Sequence, residues 1–351
     1  MDENNSTPIH LPKSALPRII IIGAGFAGLR LARRLSSSKY QIVLLDKNNY
    51  HQFQPLFYQV AMSGLEPSSI VFPVRKIFQK KENFYFRSVE VTHIDIEAKA
   101  VTTDFGTLHY DHLVLAMGAD TNFFGNENIA RKAIPMKSVS EALFLRNRIL
   151  ADLEKALNVY DFEERQSYID IVIVGGGATG VEVAGALAEM KRYILPKDYK
   201  ELNAEEIDIH LIEAGSGLLS GMSDHASKQA EKFLRSMGVL IKKNTFVTDY
   251  DGYTVTMSDG STITTRKMIW AAGVIGNKIP GIPEEVLYKG NRVCVNAFNQ
   301  VEGLDSVYAI GDVAYLEEKN FPQGHPQVAQ VALQMAKNLA DNFNAQASRK
   351  G

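Results

Sequence analysis

Two glycine patterns in this 351-residue sequence have the spacing of a pyrophosphate cradle. One is Gly23-x-Gly25-x-x-Gly28; the other is Gly175-x-Gly177-x-x-Gly180. In such a pattern the first glycine permits a tight turn. The second lets the backbone approach a pyrophosphate, and the third lets a helix pack closely on its strand. The N-terminus of that helix presents N–H groups and partial positive charge to the phosphates. An acid follows each pattern. Asp46 stands 18 residues after Gly28, and Glu213 ends the strand that follows the second pattern, across a longer connection. A carboxylate at such a strand end accepts hydrogen bonds from an adenosine ribose. It opposes a 2′-phosphate, so Glu213 predicts NADH over NADPH. A third acid, Asp312 in YAIGD, follows a buried-looking strand and suits the ribityl or phosphate-linked hydroxyls of a flavin. Two nucleotide sites in one chain point to hydride transfer between a nicotinamide and a flavin.

The elements that must hold these residues are legible on either side of them. RIIIIGAGFAGLRLARRL reads as strand, glycine turn and helix, and its β-branched run Ile19–Ile22 suits a parallel strand covered on both faces. QIVLLD is the next strand, ending on Asp46. YIDIVIVGGGATGVEVAGALAEM and IDIHLIEAG repeat the unit, ending on Glu213. YDHLVLAMG closes the first half at Gly118, and RKMIWAAG closes the second at Gly273. The spans Gly23–Gly118 and Gly175–Gly273 are 95 and 98 residues. A hairpin-like stretch precedes each closing strand, the second with an Asp259-Gly260 turn. The fold class is therefore α/β, with two Rossmann-like dinucleotide-binding domains. Residues 138–165 are helical in pattern and are expected to carry the chain from one domain to the other. A final helix is expected from about Pro326 to Asn344. Residues 1–17 read as a disordered arm.

Composition removes several classes. Lys and Arg number 38 against 40 Asp and Glu, a formal charge of −2, so no nucleic-acid partner is expected. Cys294 is the only cysteine. No CxxC pair, intramolecular disulfide, cysteine-based zinc site or iron–sulfur site can form, and no metal site is expected. The lone thiol agrees with a reducing, cytoplasmic compartment. The apolar run Ile19–Leu29 is far shorter than the roughly 20 residues of a spanning helix.

The chain from about Arg18 to Asn344 resembles the type II NADH dehydrogenases, single-subunit NADH:quinone oxidoreductases among the two-dinucleotide-domain flavoproteins. FQPLFYQVAMSGLEPSSIVFPVR, LAMGADTNFFG, VGGGATGVEVAGALAEM, MIWAAGV, YAIGDVA and PQVAQVALQMA carry the likeness. The resemblance implies a tightly bound FAD, with NADH and a quinone as substrates and no proton pumping. It implies a discontinuous FAD domain at 18–137 and 286–351 and an inserted NADH domain at 138–285. Gly23, Gly25, Gly28, Asp46 and Lys47 resemble FAD pyrophosphate and adenosine contacts. Val91 resembles the position whose backbone meets the adenine, and Gly118 and Asp312 look like further FAD contacts. Glu182 matches a glutamate near the nicotinamide and flavin. Gln330 and Gln334 match a segment that meets the flavin and the quinone pocket, and their spacing places them on one helix face. Gly175, Gly177, Gly180 and Glu213 fall to NADH. Phe53, Phe57 and Tyr58 read equally well as core or as flavin wall, and His51 as a loop hydrogen-bonder rather than a catalyst.

The family implies peripheral attachment to the cytoplasmic side of a membrane and a homodimer. Both are carried largely by a C-terminal tail beyond the point where this sequence ends, so attachment and dimerisation are expected to be weakened here. Two rival functions are an NADH-dependent flavoprotein reductase of a protein acceptor and an FAD- and NAD-binding redox interaction module. The cysteine count excludes the disulfide reductases.

Overall fold

The computed structural model describes residues 9–349. They form two compact units. One takes the chain up to Gln52, Val71–Asp120 and everything from Ile275 onward. The other takes Phe53–Ile70 and Thr121–Val274. The boundaries read from the sequence, 137/138 and 285/286, differ from these. Residues 121–137 cluster with the second unit, and 275–285 with the first.

The first unit is organised by a five-stranded parallel sheet. Arg18–Ile22 lies at its centre, between Gln41–Asp46 and His112–Leu115; Phe84–Ser88 and Val307–Ala309 form the edges. Ile19, Ile20 and Ile21 are fully buried, as an all-β-branched strand between two covering layers must be. The helix Phe26–Arg34 follows the first strand. The long helix Ala329–Arg349 packs along it, joined by an Arg34–Asp341 ion pair and by Tyr40 donating to the Phe343 carbonyl. Thus the strand after Asn299 and the last helix return to the sheet that the N-terminal segment began. An antiparallel sheet of Val91–Asp95, Ala100–Thr103 and Gly106–His109 precedes the strand His112–Leu115.

The second unit repeats this plan. Ile171–Val174 is central, flanked by Ile209–Ile212 and Met268–Trp270, with Val239–Lys242 and Ile134–Pro135 at the edges, all parallel. Its antiparallel sheet, Val247–Tyr250, Thr254–Met257 and Thr262–Thr264, turns at Gly260 with φ +81°, where the Asp259-Gly260 turn was predicted. The helix Val139–Ala156 is held to this unit by a buried charge cluster. Lys267 Nζ lies 3.3 Å from Asp152 and also donates to the Tyr168 carbonyl; Arg148 donates to the same Asp152 oxygen at 2.8 Å.

Three expectations are corrected. Residues 138–165 hold two helices, Val139–Ala156 and Phe162–Ile169, each with its own N-cap, a Ser138/Glu141 capping box and Asp161. Both lie inside the second unit, so they do not carry the chain between units. The last helix starts at Ala329 rather than Pro326. Val328 N–H turns back onto the Pro326 carbonyl, and the first helical bond runs from Ala332 N–H to Val328. Finally, residues 9–17 of the expected arm are tied down. Arg87 donates to the His10 carbonyl and Gln41 to the Pro12 carbonyl, while Ile9 and Leu11 pack on the first unit's core. Residues 1–8 of that arm lie outside the described residues.

Candidate functional site

Each unit builds the same cradle at the C-terminal end of its central strand. Gly23 and Gly175 have φ of +105° and +108°, which an L side chain rarely adopts. A Cβ on either would also strike a backbone carbonyl, Ala116 O at 2.3 Å or Ala271 O at 2.4 Å. Gly28 and Gly180 sit in the first turn of their helices. A Cβ there would lie 1.8 Å from Gly23 O and 1.9 Å from Gly175 O. These two pairs are glycines because backbone meets backbone. Gly25 and Gly177, the N-caps of the two helices, are glycines for another reason: a Cβ on either meets no protein atom within 4 Å. The chain keeps those positions bare toward space that a phosphate group can enter.

The strand-end acids fold back onto these loops. Asp46 accepts from Ala24 N–H at 2.6 Å and from Asn48 N–H at 2.7 Å. Glu213 accepts from Gly176 N–H and Gly215 N–H, both at 2.6 Å. Burial raises the Asp46 carboxyl above its ordinary value, and these two N–H donors pull it back toward ionisation. Each acid therefore braces the cradle it adjoins.

The other predicted residues of the first unit lie on sequence-distant pieces of it. Lys47 is exposed beside Asp46, and Val91 opens the strand two residues after Val89, whose N–H donates to the Asp46 carbonyl. Gly118 has φ +67° and open space where a Cβ would be. Asp312 lies in the turn Gly311–Val313; a Cβ on Gly311 would meet Ala27 and Ala332, so this turn seats between the starts of two helices. Gln330 and Gln334 are both exposed on the helix Ala329–Arg349, as is Leu333 between them. In the second unit Glu182 is exposed on the helix Ala178–Tyr193, with desolvation raising its carboxyl somewhat. Of the three aromatics, Phe57 is core, Phe53 is exposed, and Tyr58 is half-buried with its hydroxyl accepting from Gln59.

Two further residues support these turns. Asn277 clamps the turn at Gly118: its N–H donates to the Gly118 carbonyl and its side-chain amide to the Met117 carbonyl at 2.8 Å. Gln327 donates to the Asp312 carbonyl at 3.0 Å. Asn277 belongs to no motif and reaches the Met117 carbonyl across 160 residues, whereas Gln327 stands inside PQVAQVALQMA, 15 residues from Asp312.

The first cradle, open at Gly25 and with Asp46 bonded into its loop, has the chemistry that the pyrophosphate and ribose of an FAD would need. The pattern described as pyridine nucleotide-disulphide oxidoreductase matches residues 17–336. The type II NADH:quinone oxidoreductase Ndh of Mycobacterium tuberculosis is 34% identical over 341 residues, 94% of this chain and 72% of that protein. Its NdhA counterpart is 34% identical over 333 residues, covering 91% and 70%. In fold, the chain matches the NDH2 structure of Plasmodium falciparum in complex with NADH at TM-score 0.87 and 22% identity, over 93% of this chain and 83% of that one.

Proposed function

The chain belongs to the pyridine nucleotide-disulphide oxidoreductase family and, within it, to the type II NADH:quinone oxidoreductases, and from that premise we propose that it couples NADH oxidation to two-electron reduction of a membrane quinone without pumping protons. The observation that carries this reading is the cradle built twice, each with a bare second glycine and a carboxylate bonded into the loop. A tightly bound FAD would supply the two-electron redox chemistry that joins NADH oxidation to quinone reduction. The family's disulphide chemistry has no counterpart here, because Cys294 has no second cysteine to pair with.

The protein's part is to bind, orient and tune. In this reading Gly23, Gly25, Gly28, Asp46, Lys47, Val91, Gly118 and Asp312 hold FAD on the first unit. Gly175, Gly177, Gly180 and Glu213 hold NADH on the second, with Glu213 accepting from the adenosine ribose. The helix dipole at Gly25 and Gly177 favours each pyrophosphate. Gln330 and Gln334 offer amides beside the apolar Leu333, a surface suited to a flavin ring and a quinone head. Glu182 stands in the first turns of the NADH-site helix, where it would meet the nicotinamide. A discontinuous FAD domain with the NADH domain inserted in it belongs to the same reading. So does peripheral work on the cytoplasmic face of a membrane. No described helix is long and apolar enough to cross a membrane.

Stopped-flow absorbance on the FAD-loaded protein tests the reading. NADH is expected to bleach the flavin band rapidly, and a soluble quinone to restore it. A flavin that NADH leaves oxidised refutes the proposal. A reduced flavin that a protein carrier reoxidises and quinones do not makes the protein-acceptor reductase correct instead.

A further inference from the structure

The two cradles share one more device, and it singles out His51. Between the first and second glycines of each loop stands one residue, Ala24 or Gly176. Its N–H is held by the strand-end acid, Asp46 or Glu213. Its carbonyl is held as well. In the second unit the backbone N–H of Leu219, six residues past Glu213, donates to Gly176 O at 2.8 Å. In the first unit that place is taken by a side chain: Nδ1 of His51, five residues past Asp46, lies 2.9 Å from Ala24 O. A carbonyl only accepts, so Nδ1 carries the proton and the ring is the Nδ1–H tautomer.

The ring is built into its place. His51 is only 7% exposed. Phe26 meets it edge to face, with centroids 5.2 Å apart. Its short strand, Tyr50–Gln52, pairs with Val71–Pro73. Burial lowers the imidazole below its ordinary value, against the bond to the Ala24 carbonyl and the charge of Asp46.

A planar trans peptide makes the consequence specific. Ala24 O and the Gly25 N–H belong to one peptide plane and point in opposite directions. Fixing the carbonyl toward His51 therefore fixes the Gly25 N–H away from it. Asp46 fixes the preceding plane in the same way. We infer that His51 is a positioning residue for FAD: its Nδ1–H locks the Ala24–Gly25 peptide so that the Gly25 amide is pre-aimed at the pyrophosphate, the task Leu219 performs for the second nucleotide. This inference rests on the reading of the first unit as the FAD site.

The test is FAD affinity, followed by the rise of flavin fluorescence on release, in the wild type, His51→Leu and His51→Asn. The Asn amide can place a donor close to where Nδ1 stands; Leu fills the space with none. Melting of the FAD-free proteins serves as the structural control. His51→Leu is expected to bind FAD about tenfold more weakly, and His51→Asn to recover within about twofold, with the two FAD-free variants melting together. Wild-type affinity in His51→Leu overturns the inference. Equal weakening in both variants overturns it too, because the donor is then irrelevant. A wild-type protein that holds no FAD refutes the flavin reading itself, and this inference with it.

Discussion

The three glycines of one motif are glycine for different reasons, and two alanine substitutions separate them. Gly28→Ala places a methyl 1.8 Å from the Gly23 carbonyl oxygen, a backbone atom that no rotamer change can move aside. Overpacking of this kind costs about 1–3 kcal/mol where neighbours can yield, so a rigid backbone neighbour puts it near 3 kcal/mol. The gain in helix propensity of alanine over glycine returns at most about 1 kcal/mol. At about 2–4 °C per kcal/mol for a domain of this size, Gly28→Ala is expected to lower Tm by roughly 4–12 °C. Gly25→Ala meets no protein atom within 4 Å, and its φ of −69° suits alanine. Replacing an N-cap glycine costs about 1 kcal/mol or less, so the FAD-free protein loses only roughly 2–4 °C. The methyl instead occupies the space the pyrophosphate needs. Charge-assisted bonds to the loop are worth about 1.5–3 kcal/mol each, so displacing the phosphates by one methyl is expected to weaken FAD binding about a hundredfold. Scanning calorimetry of the FAD-free proteins and fluorescence titration with FAD give the two readings. The reasoning fails if Gly25→Ala binds FAD like the wild type, or if Gly28→Ala melts with it.

Three further outcomes follow from the second unit. Glu213→Gln removes the charge that opposes a 2′-phosphate but keeps a carbonyl acceptor for one loop N–H; the ratio of kcat/KM for NADPH to that for NADH is expected to rise at least about tenfold, and an unchanged ratio sinks the assignment. Lys267→Met leaves Asp152 buried with Arg148 at 2.8 Å and Lys155 at 4.0 Å as its remaining cations, at a cost near 3 kcal/mol in urea unfolding, whereas Asp152→Leu/Lys267→Met is expected to recover most of it; equal losses contradict the buried-pair account. Burial raises Asp170 to about 7, against the Asp208 N–H bond and the charges of Lys267 and Lys191. The folded state thus holds a proton that the unfolded chain has released above about pH 4, so this group's stabilisation is complete at low pH and declines as pH rises toward 7. Asp170→Asn is expected to remove that decline between pH 5 and 7, seen as a smaller Tm difference; an unaltered difference rejects it.

The sequence by itself determined the local units of this protein. Glycine spacing, a β-branched run before it and an acid at the next strand end are short-range constraints, and each was enough to define strand, turn and helix at Arg18–Arg34 and Ile171–Tyr193. The Asp259-Gly260 turn was equally local. The tertiary structure decided what meets what. It split residues 138–165 at a second cap, fastened residues 9–17 to distant side chains, and brought Asn277 to Gly118 and Gln327 to Asp312. It also gave His51, expected to be a loop hydrogen-bonder, its partner, and made it the counterpart of a backbone N–H at Leu219. The physical reason lies in range. A turn's preference is settled by the dihedrals of a few neighbouring residues. A hydrogen bond across tens or hundreds of residues exists only once the sheet has set the path of the chain, and one side chain can then replace a backbone group with no trace in spacing or composition.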